Sequence, residues 1–531
     1  MKTGSKRLWP LVLALILLLV VTALLLADSL RRNDGHLIYA LDDPYIHMAM
    51  AKNMARHGVW GVTPHGFTSV SSSPLWTLLL AGAFAVFGNH ATIPLILNLL
   101  FAALLLIAAD ILLRRHAVGP LWRFAALGAI AQLVPLPPVI LTGQEHILHA
   151  LLAVLFAGLL AETTAGSTRR NWPLLLVALL LTAVRYESLF LIAGACLILL
   201  IQRRFRLVLA LAAAAALPVV LYGLVSLAHG WFFLPTSVLM KGEVARQLYH
   251  ILHPARASGA FALSLVQLLG WNSLKQILTS THILPLIVAG LLLLLRRGEW
   301  NRTALLLLFV LGTVLHLQFA RLGPLHRYEA YLLVLGLLAV ASAALPSKPL
   351  DSLFPRLLFP AALLVMAWPA HHVLRETPVA AANIYRQQYQ MGLFLRRCYN
   401  GRAIAANDVG AINWLADLDC LDTWGMSSIE IGRARARNRY TAGLLDSLCR
   451  SRGTEMAVVY KNWLLDAKPG RLPDSWVEAG AWTIKDNIVC GEATVTFFAC
   501  DSGYLPALLA NLRLFSADLP AEVVQSGLYL R

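Results

Sequence analysis

Residues 41–82 read LDDPYIHMAMAKNMARHGVWGVTPHGFTSVSSSPLWTLLLAG, a polar stretch between two long apolar runs, residues 11–27 and 93–113. Asp43 followed by Pro44 reads as a helix start: a carboxylate N-cap, then proline at the first helical position, where its missing N–H costs nothing. Tyr45, Met48, Ala49 and Lys52 follow at i, i+3, i+4 and i+7, so Met48 and Ala49 mark the apolar face of an amphipathic helix. A helix of this kind lies along a membrane face. Two solvated loop carboxylates, one of them capping, would account for Asp43 but not for Asp42 beside it. Neighbouring carboxylates at an interface repel, which raises the pKa of one and suits it to taking a proton.

The rest of the chain explains why this stretch sits at a membrane. Of 531 residues, 58% are hydrophobic and 14% charged, whereas soluble domains are about a quarter charged. Leu and Ala dominate residues 8–369, and residues 370–531 read as an ordinary globular sequence. At roughly 20 apolar residues per crossing, the first part predicts about eleven spans. The expected fold is therefore mainly α: a polytopic α-helical membrane domain, residues 1–369, and a C-terminal α/β domain, residues 370–531. Strand-like runs at 404–406, 456–460 and 493–499 supply the β part. Lys2, Lys6 and Arg7 precede the first apolar run, and no small-residue cleavage site follows it. That run reads as a retained span.

The formal charge of +16 sits largely in short clusters between apolar runs. This is the positive-inside pattern, which excludes a nucleic-acid stripe as the main reading. The run at residues 74–87 is short for a crossing. If it lies along the outer face, then Arg114-Arg115, Arg169-Arg170, Arg203-Arg204-Arg206, Arg296-Arg297 and Lys348 all become cytoplasmic. The outer face then receives the loop at 28–91, residues 137–146, the turn Arg185-Tyr186-Glu187, the loop 229–282, residues 321–327 and the C-terminal domain. The expected location is a bacterial inner membrane, with the site and the C-terminal domain on the periplasmic side. Five of six cysteines fall in that domain, where an oxidising compartment permits disulfides. Cys490 and Cys500 bracket an expected hairpin and are the preferred pair, with buried free thiols as the alternative.

Residues 41–82 resemble the first external loop of GT-C glycosyltransferases, closest to their arabinofuranosyltransferase-like branch. The resemblance rests on Asp42, Asp43, Tyr45, Ile46, Asn53, Gly58 and the run Ser73-Pro74-Leu75-Trp76. Weaker echoes follow in order: Thr142-Gly143-Gln144-Glu145, Arg185-Tyr186-Glu187, Leu234-Pro235-Thr236 with Lys241, and Asn407-Asp408-Val409-Gly410 through Asp422-Thr423-Trp424-Gly425-Met426. The resemblance implies a multispan enzyme taking sugar from a polyprenyl-phosphate donor to a cell-envelope glycan, lipid or protein acceptor. It also implies external helices lying along the membrane.

Such a transfer needs a base for the acceptor hydroxyl and cations for the departing phosphate. Asp42, with Asp43 beside it, is the expected base. Lys52, Arg185, Lys241, His326 and Arg327 are the expected donor-phosphate cations, because charges at a membrane are costly and functional by default. Tyr45, Asn53, Trp76 and Glu145 are the expected positioning residues. Glu145, His146 and His149 have a spacing a metal site could use, but such residues more often orient one another. No metal ligand is assigned, and a divalent cation is the only cofactor admitted. Direct inverting displacement is the simpler mechanism, since no second carboxylate is obviously placed as a nucleophile. The C-terminal domain is assigned acceptor binding. The competing classes are a transporter or lipid flippase, in which the aspartates relay protons, and a non-catalytic polysaccharide-export component. Transporters place ionisable groups at mid-membrane and show paired repeats; here the charges gather on one face.

Overall fold

The computed structural model describes residues 8–166, 170–241, 275–276, 280–296, 298–345, 353–466 and 469–531. Among them, seven helices are long and apolar enough to cross a membrane: Trp9–Arg32, Ile93–Arg115, Pro120–Leu141, His146–Thr164, Phe205–Ala228, Trp300–Phe319 and Arg356–Cys398. Trp172–Val184, Ser188–Ile201, Leu284–Leu294, Ala330–Ala344 and Pro74–Phe87 are shorter apolar helices. Arg169, Arg297, Lys348 and most of the 229–282 loop lie outside the described residues.

Burial sorts these helices into layers. Ala330–Ala344 and His146–Thr164 are enclosed almost all round and form the centre of the bundle, as expected of helices apolar on every face. Phe205–Ala228 instead turns Leu209, Leu221 and Leu224 outward, an apolar rim suited to lipid. The helix Phe354–Ile384 runs through a π turn, Tyr385–Tyr389, into Gln390–Cys398 and carries the chain into the C-terminal domain.

That domain holds one six-stranded sheet in the order β2-β1-β3-β5-β4-β6. β1 (Ala403–Ala406) pairs in parallel with β2 (Asp419–Asp422) and β3 (Met456–Val459). β5 (Thr494–Ala499), β4 (Val477–Thr483) and β6 (Val524–Gly527) complete it in antiparallel fashion. The three expected strands are present. β2, β4 and β6 escaped because Asp419, Glu478, Gly480 and Gly527 dilute their β-branched pattern.

Two local expectations are corrected. All six cysteines are free, so Cys490 and Cys500 do not pair. In the β4–β5 hairpin, Thr483 faces Thr494. Cys490 therefore lies in the connecting loop and Cys500 a full strand length away, beyond the about 7 Å Cα separation a disulfide spans. Cys490 Sγ instead donates to Gln388 Oε1 at 3.3 Å. At the other site, the helix begins at Asp43 and its N-cap is Asp42, not Asp43, with no side-chain capping bond.

Pro74–Phe87 packs on both the helix Asp43–His57 and the C-terminal domain. Near its start, Thr77 Oγ1 lies 2.9 Å from His47 Nδ1, and near its end Phe84 packs on Trp414 at 5.5 Å between ring centres.

Candidate functional site

A cavity of about 1120 Å³ opens where the helix Asp43–His57 meets five connecting segments and one residue of the C-terminal domain, Met426. Its polar wall holds Asp43, His47, Gln144, Arg185, Glu187 and Arg327. Much of the remainder is apolar, with Val219, Leu227, Phe232, Phe233, Leu234 and Phe319. Concave, mostly apolar space with a few convergent polar groups is the usual form of a small-molecule site.

Local sequence explains how each polar group arrives. Gly143 has φ +68, and a Cβ there would lie 2.6 Å from the Tyr39 ring, so only glycine makes this turn. The turn delivers Gln144 to the cavity and Glu145 beneath it. Glu145 is fully buried, and its Oε1 accepts from Arg185 Nη1 at 2.5 Å. Arg185 also grips Glu187, with Nε donating to Oε2 at 3.0 Å and Nη2 to Oε1. Burial alone would push the Glu187 carboxyl up, but the Arg185 charge overrides it and holds that pKa at about 2. Burial opposes the Arg185 charge, and Glu187 and Glu145 more than compensate, so it stays protonated.

Arg327 spans the cavity head. Its Nη2 donates to Asp43 Oδ2 at 2.6 Å and its Nη1 to Gln144 Oε1 at 2.9 Å. The guanidinium carbons of Arg185 and Arg327 lie 4.9 and 4.7 Å from the centre of the Tyr328 ring. Both cations thus approach one aromatic ring, Arg327 paired with Asp43 and Arg185 with Glu145 and Glu187. At the C-terminal edge, Thr236 Oγ1 donates to Met426 O at 2.5 Å. Asp422 accepts from the backbone N–H groups of Trp424, Gly425 and Ser427. These bonds fold the loop that brings Met426 to the cavity.

The two aspartates part company. Asp42 points into the C-terminal domain, where Oδ2 and Oδ1 accept from Gly410 N at 2.8 Å and Ala411 N at 2.7 Å. Burial raises its pKa well above the usual carboxylate range, and the neighbouring Asp408 carboxylate adds to the rise. Asp42 therefore has a structural task, and it does not line the cavity. Asp43, read from the sequence as the cap, does.

Of the other expected residues, Arg185, Arg327 and Glu145 are brought together at this site. Lys52 is not: its Nζ donates to Asn413 O, Trp414 O and Asp417 Oδ1 at 2.9, 3.2 and 2.9 Å. Asn53 Nδ2 donates to Gly61 O and Val62 O, each at 2.9 Å, and fixes the loop that follows its helix. Tyr45 OH accepts from Tyr39 N at 3.0 Å, and Trp76 is buried against Phe101. His326 stacks on His282, 4.0 Å between ring centres. Lys241 ends the short helix Thr236–Lys241, but its side chain lies outside the described residues. Glu145, His146 and His149 do not converge as a metal set: Glu145 serves Arg185, and His149 Nε2 lies 2.9 Å from Ser188 Oγ. Gln144 and Tyr328 were not read as site residues. Gln144 lay within a noticed turn, and Tyr328 carried no signal beyond adjacency to Arg327.

A family described as a domain of unknown function, DUF8728, matches residues 382–498. No curated protein sequence matches the chain. Among solved structures, the chain is similar to ArnT from Cupriavidus metallidurans bound to undecaprenyl phosphate, at 13% identity and TM-score 0.48, over 92% of this chain and 98% of that one. It is similar to the oligosaccharyltransferase AglB from Archaeoglobus fulgidus, in complex with an inhibitory peptide and a dolichol-phosphate, at 12% identity and TM-score 0.48, over 96% and 75%. It is also similar to the mycobacterial arabinofuranosyltransferase AftD at 15% identity and TM-score 0.38, over 91% of this chain and 40% of that one.

Proposed function

We propose that the chain transfers a sugar from a polyprenyl-phosphate donor to an acceptor hydroxyl on a cell-envelope glycan, lipid or protein, in a bacterial inner membrane with the site on the periplasmic side. The observation that carries this reading is the shape of the cavity's chemistry. Two carboxylates, Asp43 and Glu187, and three guanidinium groups, Arg185, Arg321 and Arg327, line a space whose remaining walls are largely apolar. An isoprenoid chain suits the apolar walls, and a phosphate suits the paired cations. The resemblance of residues 41–82 to GT-C enzymes supports the same class.

In this reading Asp43 takes the proton from the acceptor hydroxyl as its oxygen attacks the anomeric carbon. The bond from that carbon to the phosphate oxygen breaks, and polyprenyl phosphate departs with the electron pair. Arg327 and Arg185 meet the new negative charge, which is the moment at which fixed cations lower the barrier most. Glu145 and Glu187 hold Arg185 in place. The attack inverts the anomeric centre in one step.

Purified protein supplied with a panel of polyprenyl-phosphate sugars and a cell-envelope extract tests the proposal. Wild type transfers label from one donor, and Asp43→Asn loses that transfer by about 100- to 10,000-fold while remaining folded. A chain that turns over none of the panel, yet carries a polyprenyl-phosphate lipid across vesicles, is the flippase of the rival reading.

A further inference from the structure

Outside the cavity, one group of side chains has the composition of a metal centre. His282 precedes the helix Leu284–Leu294, and His326 and Glu329 lie in the turn before Ala330–Ala344. One ligand atom from each lies within 4.8 Å of the others. His282 Nε2 is 3.1 Å from Glu329 Oε1, and the second Glu329 oxygen accepts from Gly323 N at 3.0 Å. A backbone bond of this kind fixes the direction of a ligating carboxylate. His326 Nδ1 has no hydrogen-bond partner among the described residues.

The turn itself is strained. Leu325 and His326 have φ of 58 and 57 in succession, a left-handed pair that side-chain-bearing residues rarely adopt. Within this turn the His326 imidazole stacks on His282, 4.0 Å between ring centres. The same turn supplies Arg327, the residue that spans the cavity head.

We propose that His282, His326 and Glu329 bind a divalent transition-metal ion of the zinc class, which pins the Arg327 turn to the segment entering Leu284–Leu294. Two imidazoles and one carboxylate suit zinc, and they leave a fourth position for water. Ligand atoms around zinc stand about 3.3 Å apart, given bonds near 2.0 to 2.1 Å, so side-chain shifts of about 1 Å close the set. Burial lowers the His326 pKa to about 4, and His282 adds to the fall. Burial would raise Glu329, but the hydrogen bond from His282 brings it below its usual value. The inference does not depend on the transfer reaction.

The test uses full-length protein in detergent, thiol-alkylated so that the six cysteines cannot hold metal. It is stripped with a chelator and dialysed against zinc. Mass spectrometry should find about one zinc per chain, and zinc should raise the melting temperature where magnesium, which prefers all-oxygen sites, does not. His282→Ala and Glu329→Gln should each weaken zinc binding by at least about tenfold, whereas His57→Ala, on the exposed end of another helix, should keep it. If a variant fails to fold, the wild-type melting shift decides alone. Wild type that regains no zinc, folded ligand variants that retain it, or an equal rise with magnesium would overturn the proposal.

Discussion

The helix Asp43–His57 has two working sides, built from similar residues and put to different use. Toward the cavity, Asp43 faces Arg327 and His47 lies near Glu145. Toward the C-terminal domain, Asp42 and Lys52 hold the short helix Gly410–Leu415 at its two ends. Asp42 accepts the first N–H groups, and Lys52 donates to the last carbonyls. A carboxylate at a helix N-terminus and a cation at its C-terminus also complement the helix dipole. The difference lies in the partners. Backbone groups in a docked domain cannot leave, so the charges at the seam are committed. Side-chain charges around a cavity can exchange partners with a ligand.

The largest expected effect separates the two aspartates. Asp43→Asn should lower transfer by about 100- to 10,000-fold, as loss of a positioned base does, with an unchanged melting curve. Asp42→Asn should move the melting curve more than the chemistry, because its carboxylate serves two backbone N–H groups. The reverse pattern in rate assays and thermal melts would return the base to Asp42 and empty the comparison.

Gly410→Ala tests the seam without touching any charge. A Cβ at Gly410 would lie 2.2 Å from Asp42 Oδ2 and 2.4 Å from Asp42 O. Backbone atoms cannot rotate aside, so the domain must shift, at about 1–3 kcal/mol for an overpacked site. Limited proteolysis across residues 400–420 should become faster. A variant as resistant as wild type would mean that the seam is not closed in solution.

A smaller effect concerns pH. Burial and Asp408 raise the Asp42 pKa, with Asp43 adding to it and the Ala411 N–H opposing. A carboxyl raised in the folded state favours its protonated form there. Its contribution is fully present below the unfolded value of about 3.9 and is lost as pH rises through the folded value. Protection of the Gly410 and Ala411 amides from hydrogen exchange, corrected for intrinsic rate, should therefore weaken with rising pH. Asp42→Asn should flatten that dependence, and a persistent slope would assign it to another group.

The architecture was legible because it follows from quantity: apolar run lengths set the helices, and the drop in apolar content marks the domain. The site was legible only where a turn has its own signature. Gly143 had to be glycine, so Gln144 and Glu145 fell within a visible motif, and Arg185 and Glu187 are two residues apart. Long-range pairings left no such trace. Nothing in the sequence says that Gly410 and Ala411 claim Asp42, or that Asn413 and Trp414 claim Lys52. Local capping logic therefore put the N-cap at Asp43, where the structure has Asp42. His282 and Glu329 were missed for the same reason, being 47 residues apart in the chain.

Lys52 offers the finest test of the comparison, because the two assignments for it predict opposite observables. Read as a donor-phosphate cation, its loss should raise KM for the lipid donor by tenfold or more, on the order of the 1.4 kcal/mol that a tenfold change represents. Read as part of the seam, it satisfies two carbonyls and one carboxylate. The Asp417 side chain is 46% exposed, so that ion pair contributes little after solvent screening. The carbonyl bonds carry most of the effect, about 1 kcal/mol net. Burial lowers the Lys52 pKa, with Asp417 opposing, so the charge is already costly where it sits. Lys52→Met keeps the apolar stem that packs in the seam and removes only the ammonium. The expected outcome is a melting temperature lowered slightly and equally at low and high salt, with KM and kcat unchanged. A rise in donor KM at unchanged stability would instead place Lys52 on the cavity side of its helix.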